Sequence, residues 1–219
     1  FLKENRNMSI PLSGIEMYDE LFNHRCGLNV ASVMEVEIDD YSLSTSEIFN
    51  KYNVEYDKPV VFSDLEDSSR HVGYGESQGV KGWATNYTHN NEIKTAIFIV
   101  KNPEYSGPQL EDAEQSEFLS ILKTITLLHE LGHVHDIQNS INFDHSNQSV
   151  NLIAAEAYAD IFALKKLKSW KHPYGKLALK TFSVALLERR NNSDFYAQVH
   201  SQIRKKVLES KLRTWSKII

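Results

Sequence analysis

Three residues in one short stretch, His129, Glu130 and His133, have the types and the spacing to run metal chemistry. They sit in LLHELGHVHD, residues 127–136, as a His-Glu-x-x-His motif. On an α-helix, positions four apart differ by about 40° around the axis, so both imidazoles leave one face. Two imidazoles on one face fix two corners of a zinc tetrahedron. Glu130, one residue past the first His, can reach a water held by that metal and take its proton. The chemistry expected of such a set is metal-dependent peptide hydrolysis.

A chain with 9 His and 29 acidic residues can produce this motif by chance, so its setting decides. Phe118, Ile121, Leu122, Ile125 and Leu128 recur at helical spacing ahead of it, which predicts a helix with a buried face. A catalytic zinc normally takes three protein ligands and a water, so a third ligand is needed. A ligand six residues past the second His would fall on Asn139, and Asp136 stands where that solution has a glycine. His135 lies about 200° round the helix from His133 and faces away. Glu156 is the candidate on the next helix, in Ala155-Glu156-Ala157-Tyr158-Ala159-Asp160, with Asp160 one turn further along the same face. Asp136, Asp144 and His145 are near enough in sequence to compete with it.

The arrangement resembles the gluzincins, zinc peptidases with a His-Glu-x-x-His helix followed by a Glu-x-x-x-Asp helix. Within them, HELGH followed by AAEAYADIFAL is most similar to the small ImmA/IrrE-type peptidases, over about residues 94–165. The resemblance implies a zincin-like domain with Zn2+ held by His129, His133 and Glu156, and Glu130 as the general base. It implies that Asp160 accepts a hydrogen bond from the far nitrogen of a ligand His, His129 first. It also implies a protein or peptide substrate and an edge strand at residues 93–100 beside the cleft. Tyr158, His145, His172, Tyr174, Tyr196, His200 and Arg204 are candidates for stabilising an oxyanion, and the sequence selects none of them. A competing expectation is a catalytically silent zinc-binding interaction or sensor module with the same ligands. The intact Glu130 favours catalysis, because a silent site needs no base. A deformylase-like hydrolase needs an upstream Cys ligand, and Cys26 lacks the flanking pattern for one.

The elements that must position these groups follow from periodicity. Helices are expected at Ile15–His24, after the Ser44–Glu47 capping box, at Leu110–Ile137, at Val150–Ser169 with Ser149 as cap, at Lys176–Arg190 and at Asp194–Glu209. Strands are expected at Met34–Ile38 with one wet face, at Pro59–Phe62, at Val80–Tyr87 and, most strongly, at Ile93–Val100. Leu177, Phe182 and Leu186 are expected to point inward from the third long helix. Residues 1–13 and 139–149 read as loops. The fold class is therefore α+β: a small mixed or antiparallel N-terminal sheet packed on a helical half that carries the active-site helix. One domain is expected, with a strand and helix lobe over 1–108 and a helical lobe over 109–219.

Composition limits what such a domain does. At 41% hydrophobic and 24% charged residues, 219 residues can bury a core of their own. A net charge of -5 argues against a general nucleic-acid partner, which needs a basic face to displace counterions. No apolar run approaches the roughly 18 residues of a membrane span. One Cys excludes an internal disulfide, and no signal peptide is visible. The expectation is a protein of the cytoplasm or one delivered into a host cell, and the start at Phe1 is that of a processed or trimmed chain.

Overall fold

Serine and glutamate pairs set where the first helices begin. In the computed structural model, which describes residues 13–60, 81–103, 111–144 and 149–209, Ser13 and Glu16 cap each other at the head of α1 (Gly14–His24). Strand β1 (Ser32–Val36) follows, and then the predicted Ser44–Glu47 box opens α2 (Thr45–Lys51). The sheet is completed by β2 (Lys58–Pro59), β3 (Gly82–His89) and β4 (Glu92–Val100), in the order β1-β4-β3-β2. It is mixed: β1 runs parallel to β4, and the other pairs are antiparallel. The second half of the predicted Pro59–Phe62 strand, together with the arm at 1–12, lies outside the described residues.

Two strand expectations change. Residues 93–100 are not an edge strand, because β4 is hydrogen-bonded to β1 on one side and β3 on the other. The reason is in the run itself. Ile97 and Ile99 face the main core, while Ala96 and Phe98 face a smaller one, so both faces of β4 are covered. β1 has the expected length but begins and ends two residues earlier, and neither of its faces is left open to water. Val33 packs into the main core and Val36 into the smaller one, and Glu35 meets Lys123 of the long helix at 2.5 Å. From Ile38 the chain turns into a short 3-10 helix.

The helical half begins at Glu111, which with Glu114 caps α3 (Asp112–Gln138). Its apolar face lies on the sheet through Ile121, Ile125 and Leu128, in one cluster with Val33, Ile97 and Ile99. After α3 the chain reverses tightly. Buried Asp136 accepts from the Asn142 backbone N–H at 2.7 Å and from its side-chain Nδ2 at 2.9 Å. Strand β5 (Phe143–Asp144) then pairs antiparallel with β6 (Ser149–Val150). Ser149 is thus in a strand rather than a cap, and Asn151 caps α4 (Leu152–Ser169) instead. Helices α5 (Gly175–Asn192) and α6 (Asp194–Glu209) complete the core through Phe182, Leu186, Tyr196, Val199 and Ile203. Leu177 is 45% exposed rather than inward, and Ala178 takes the buried position beside it. Among the described residues, no helix is long and apolar enough to cross a membrane.

Helices α3 and α4 touch backbone to backbone. A Cβ on Gly132 would stand 2.7 Å from the Ala159 Cα and 2.9 Å from its carbonyl oxygen. Those atoms cannot rotate aside, so only glycine fits at this crossing. Gly132→Ala should therefore destabilise the protein by about 1–3 kcal/mol, as overpacking does, read as a lower urea midpoint. An unchanged midpoint would mean that the two helices do not meet this closely.

Candidate metal centre

The Gly132–Ala159 contact brings the predicted residues of two helices face to face. His129 and His133 project from α3 and Glu156 from α4, and their donor atoms all lie within 4.8 Å of one another. The two Nε2 atoms are 3.0 Å apart. Glu156 Oε2 is 3.5 Å from His129 Nε2, and Oε1 is 3.3 Å from His133 Nε2. Ligands of a tetrahedral ion with bonds of about 2.0–2.1 Å stand about 3.3 Å from one another. These separations therefore match a triangle of donors around one small cation. The group is close enough to hold a metal ion. Glu156 Oε2 is buried without a hydrogen-bond donor, a state that a cation would relieve.

Asp160 supports one ligand. Wholly buried, it accepts from His129 Nδ1 at 2.8 Å, which leaves Nε2 to face the other donors. The hydrogen bond expected of Asp160 is thus present, and to the expected His. On its other side, Arg189 Nη2 of α5 donates to both Asp160 oxygens, each at 2.8 Å. Glu130 is buried against β3, where its carboxylate accepts from the Ala84 backbone N–H. Strand β2 covers β3 only as far as Asn86. Among the described residues no strand pairs with that side of β3 from Gly82 to Thr85, which leaves the Ala84 N–H for Glu130.

Asp136 and His135, the neighbouring candidates that the structure describes, are engaged elsewhere. Asp136 is spent on Asn142. His135 faces Tyr158, whose hydroxyl lies 2.9 Å from His135 Nδ1. His145 and the side chain of Asp144 lie outside the described residues. Of the oxyanion candidates, Tyr196 lies under the Arg189 guanidinium at 4.8 Å. His172 and His200 are buried, Tyr174 is half-buried and Arg204 is exposed.

Burial and the neighbouring charges set the ionisation of this cluster. Burial disfavours the imidazolium of His129, but Asp160 and Glu156 beside it outweigh that and hold its pKa up at about 10. Burial likewise opposes ionisation of Glu156, yet the two imidazoles keep it well below the usual carboxylate range. For Asp160, burial is outweighed first by Arg189 and then by His129, and the carboxyl stays ionised. Glu130 goes the other way. Burial pushes it up, and the neighbouring imidazoles only partly offset the shift.

Two members of this arrangement escaped the sequence. Arg189 lies in a plain Glu-Arg-Arg run at a helix end, and Ala84 contributes only its backbone. The one signal pointing toward Arg189 is Asp160 itself, since a carboxylate on an alanine-rich buried face requires a cation. No protein-family model, curated protein or solved structure matches the chain.

Metal uptake should have a definite pH dependence. At neutral pH, below the His129 value of about 10, the metal-free site carries a proton that ligation must expel. Zinc affinity should therefore rise with pH between about 7 and 10, by up to tenfold per unit for one proton. Calorimetry in buffers of different ionisation enthalpy should count about one proton released per zinc bound. Glu156→Ala should lose more affinity than the roughly 10–100-fold typical of losing a supporting hydrogen bond. Asp136→Ala should keep zinc while losing stability. Equal binding by wild type and Glu156→Ala would remove Glu156 from the site.

Proposed function

We propose that the protein is a zinc-dependent peptidase that hydrolyses peptide bonds of a protein substrate, with Glu130 as general base. The observation that carries the reading is the buried carboxylate of Glu130 set beside a His129–His133–Glu156 donor group. Two imidazoles and one carboxylate are a donor set common to catalytic zinc. The gluzincin resemblance of HELGH and of Glu156 through Asp160 supports the same conclusion.

The chemistry supplied by bound zinc is Lewis acidity toward the scissile carbonyl and the attacking water. The remaining work belongs to the chain. His129, His133 and Glu156 hold the ion, and Asp160 orients the His129 ring. Glu130 accepts a proton from the attacking water and delivers it to the leaving amine nitrogen. Its upward-shifted pKa suits that return, because a carboxyl that holds a proton more firmly is better placed to carry it between two partners. The Ala84 N–H fixes the carboxylate from the β3 side. An extended substrate would lie along the side of β3 that no described strand covers, pairing with backbone groups there other than the Ala84 N–H. That assigns to β3 the part that the resemblance gave to residues 93–100.

Glu130→Gln is the decisive variant. It should fold and bind zinc as the wild type does, while hydrolysis falls by about 10²–10⁴-fold for want of a proton acceptor. A proteomic cleavage screen comparing the two proteins would measure this and identify the substrate. Cleavage at wild-type rate by Glu130→Gln would dismiss Glu130 as the base. Zinc binding with no cleavage by either protein would favour a silent metal-binding module.

A further inference from the structure

Helices α5 and α6 lie outside the part of the chain that the resemblance covers, yet they reach the metal centre through one side chain. Arg189 leaves the last turn of α5 and places Nη2 at 2.8 Å from each oxygen of Asp160. Its guanidinium carbon stands over the buried Tyr196 ring of α6, 4.8 Å from the ring centroid. Asp160 is 0% exposed, and the described contacts of its carboxylate are Arg189 and His129. A chain of contacts thus runs from Tyr196 through Arg189 and Asp160 to His129 Nδ1, and ends at the Nε2 that faces His133 and Glu156.

We infer that Arg189 is a positioning residue for the metal centre, held by Tyr196, and that it orients Asp160 so that the His129 ring presents Nε2 to the ion. The inference rests on the zinc-site reading above. A carboxylate with a single partner can pivot about its Cβ–Cγ bond and swing the imidazole attached to it. A nitrogen bonded to both oxygens at once, on a guanidinium held over an aromatic ring, removes that freedom. Charge neutralisation alone would ask less of Arg189. Any cation near Asp160 would then serve, whereas orientation requires the planar guanidinium and its stack on Tyr196.

That difference makes the role measurable on the full chain, with zinc as the probe. Zinc affinity is determined by chelator competition, and the cobalt-substituted protein is examined for its visible ligand-field bands. Thermal unfolding of each metal-free protein is recorded alongside. Arg189→Lys keeps the charge but loses the planar group held over Tyr196, which aims the donor nitrogen. It should unfold within a few degrees of wild type, bind zinc about tenfold more weakly and show altered cobalt bands, a loss at the low end of that for a supporting partner of a metal ligand. Arg189→Met should lose roughly 10–100-fold in zinc affinity. Tyr196→Leu should resemble Arg189→Lys. If Arg189→Met does not fold, Arg189→Lys alone decides. Wild-type affinity and wild-type cobalt bands in Arg189→Lys would reduce Arg189 to a counter-charge and overturn the inference while leaving the zinc site intact. Failure of the wild type to bind zinc or cobalt would overturn the site reading, and this inference with it.

Discussion

The contact of Gly132 with the Ala159 backbone is the constraint on which the rest depends. It lets α3 and α4 approach until main chain meets main chain, and at that distance side chains as short as Glu156 and Asp160 reach imidazoles on the other helix. A larger residue at either position would part the helices and open the triangle of donors. The turn that returns the chain is built for the same purpose. Asp136 grips Asn142, and the Phe143–Asp144 and Ser149–Val150 strands close the loop, so α4 starts beside α3 rather than beyond it.

The close approach also concentrates charge. Glu130 and Asp160 are buried and Glu156 is half-buried, with Arg189 as the permanent cation beside Asp160. A cluster of this kind is costly unless the charges are matched. Without a metal, the proton retained by His129 supplies part of the missing positive charge. A divalent cation with neutral imidazoles would, together with Arg189, balance the three carboxylates. The same electrostatics that keep a proton on His129 thus make the site attractive to a cation.

The sheet serves the site less by its core than by its exposed half-edge. β4 is enclosed on both faces and both sides, so it can only support. Among the described residues β3 is covered by β2 at its far end only, and the other half offers the backbone N–H that meets Glu130. Placed between helix and strand, Glu130 has little freedom to turn away from the three donors, as the proposed role of a base would require.

What the sequence by itself determined was local. Helical periodicity marked α1, α3 and α6 nearly to their ends, and a capping pair marked where α2 begins, since those signals depend on residues three or four apart. The same spacing put His129, Glu130 and His133 on one helix, and the pattern of Glu156 and Asp160 named the facing one. Tertiary structure decided whatever depends on partners distant in the chain. That β4 is central and β3 half-open follows from strand pairing, which an apolar run does not encode beyond its need for cover. That Glu35 meets Lys123 instead of water, and that Ala178 rather than Leu177 turns inward, follows from which surfaces meet. Arg189 is the clearest case. Nothing in its neighbourhood along the chain distinguishes it from Arg190, and only the packing of α5 and α6 against α4 brings one of the two onto Asp160.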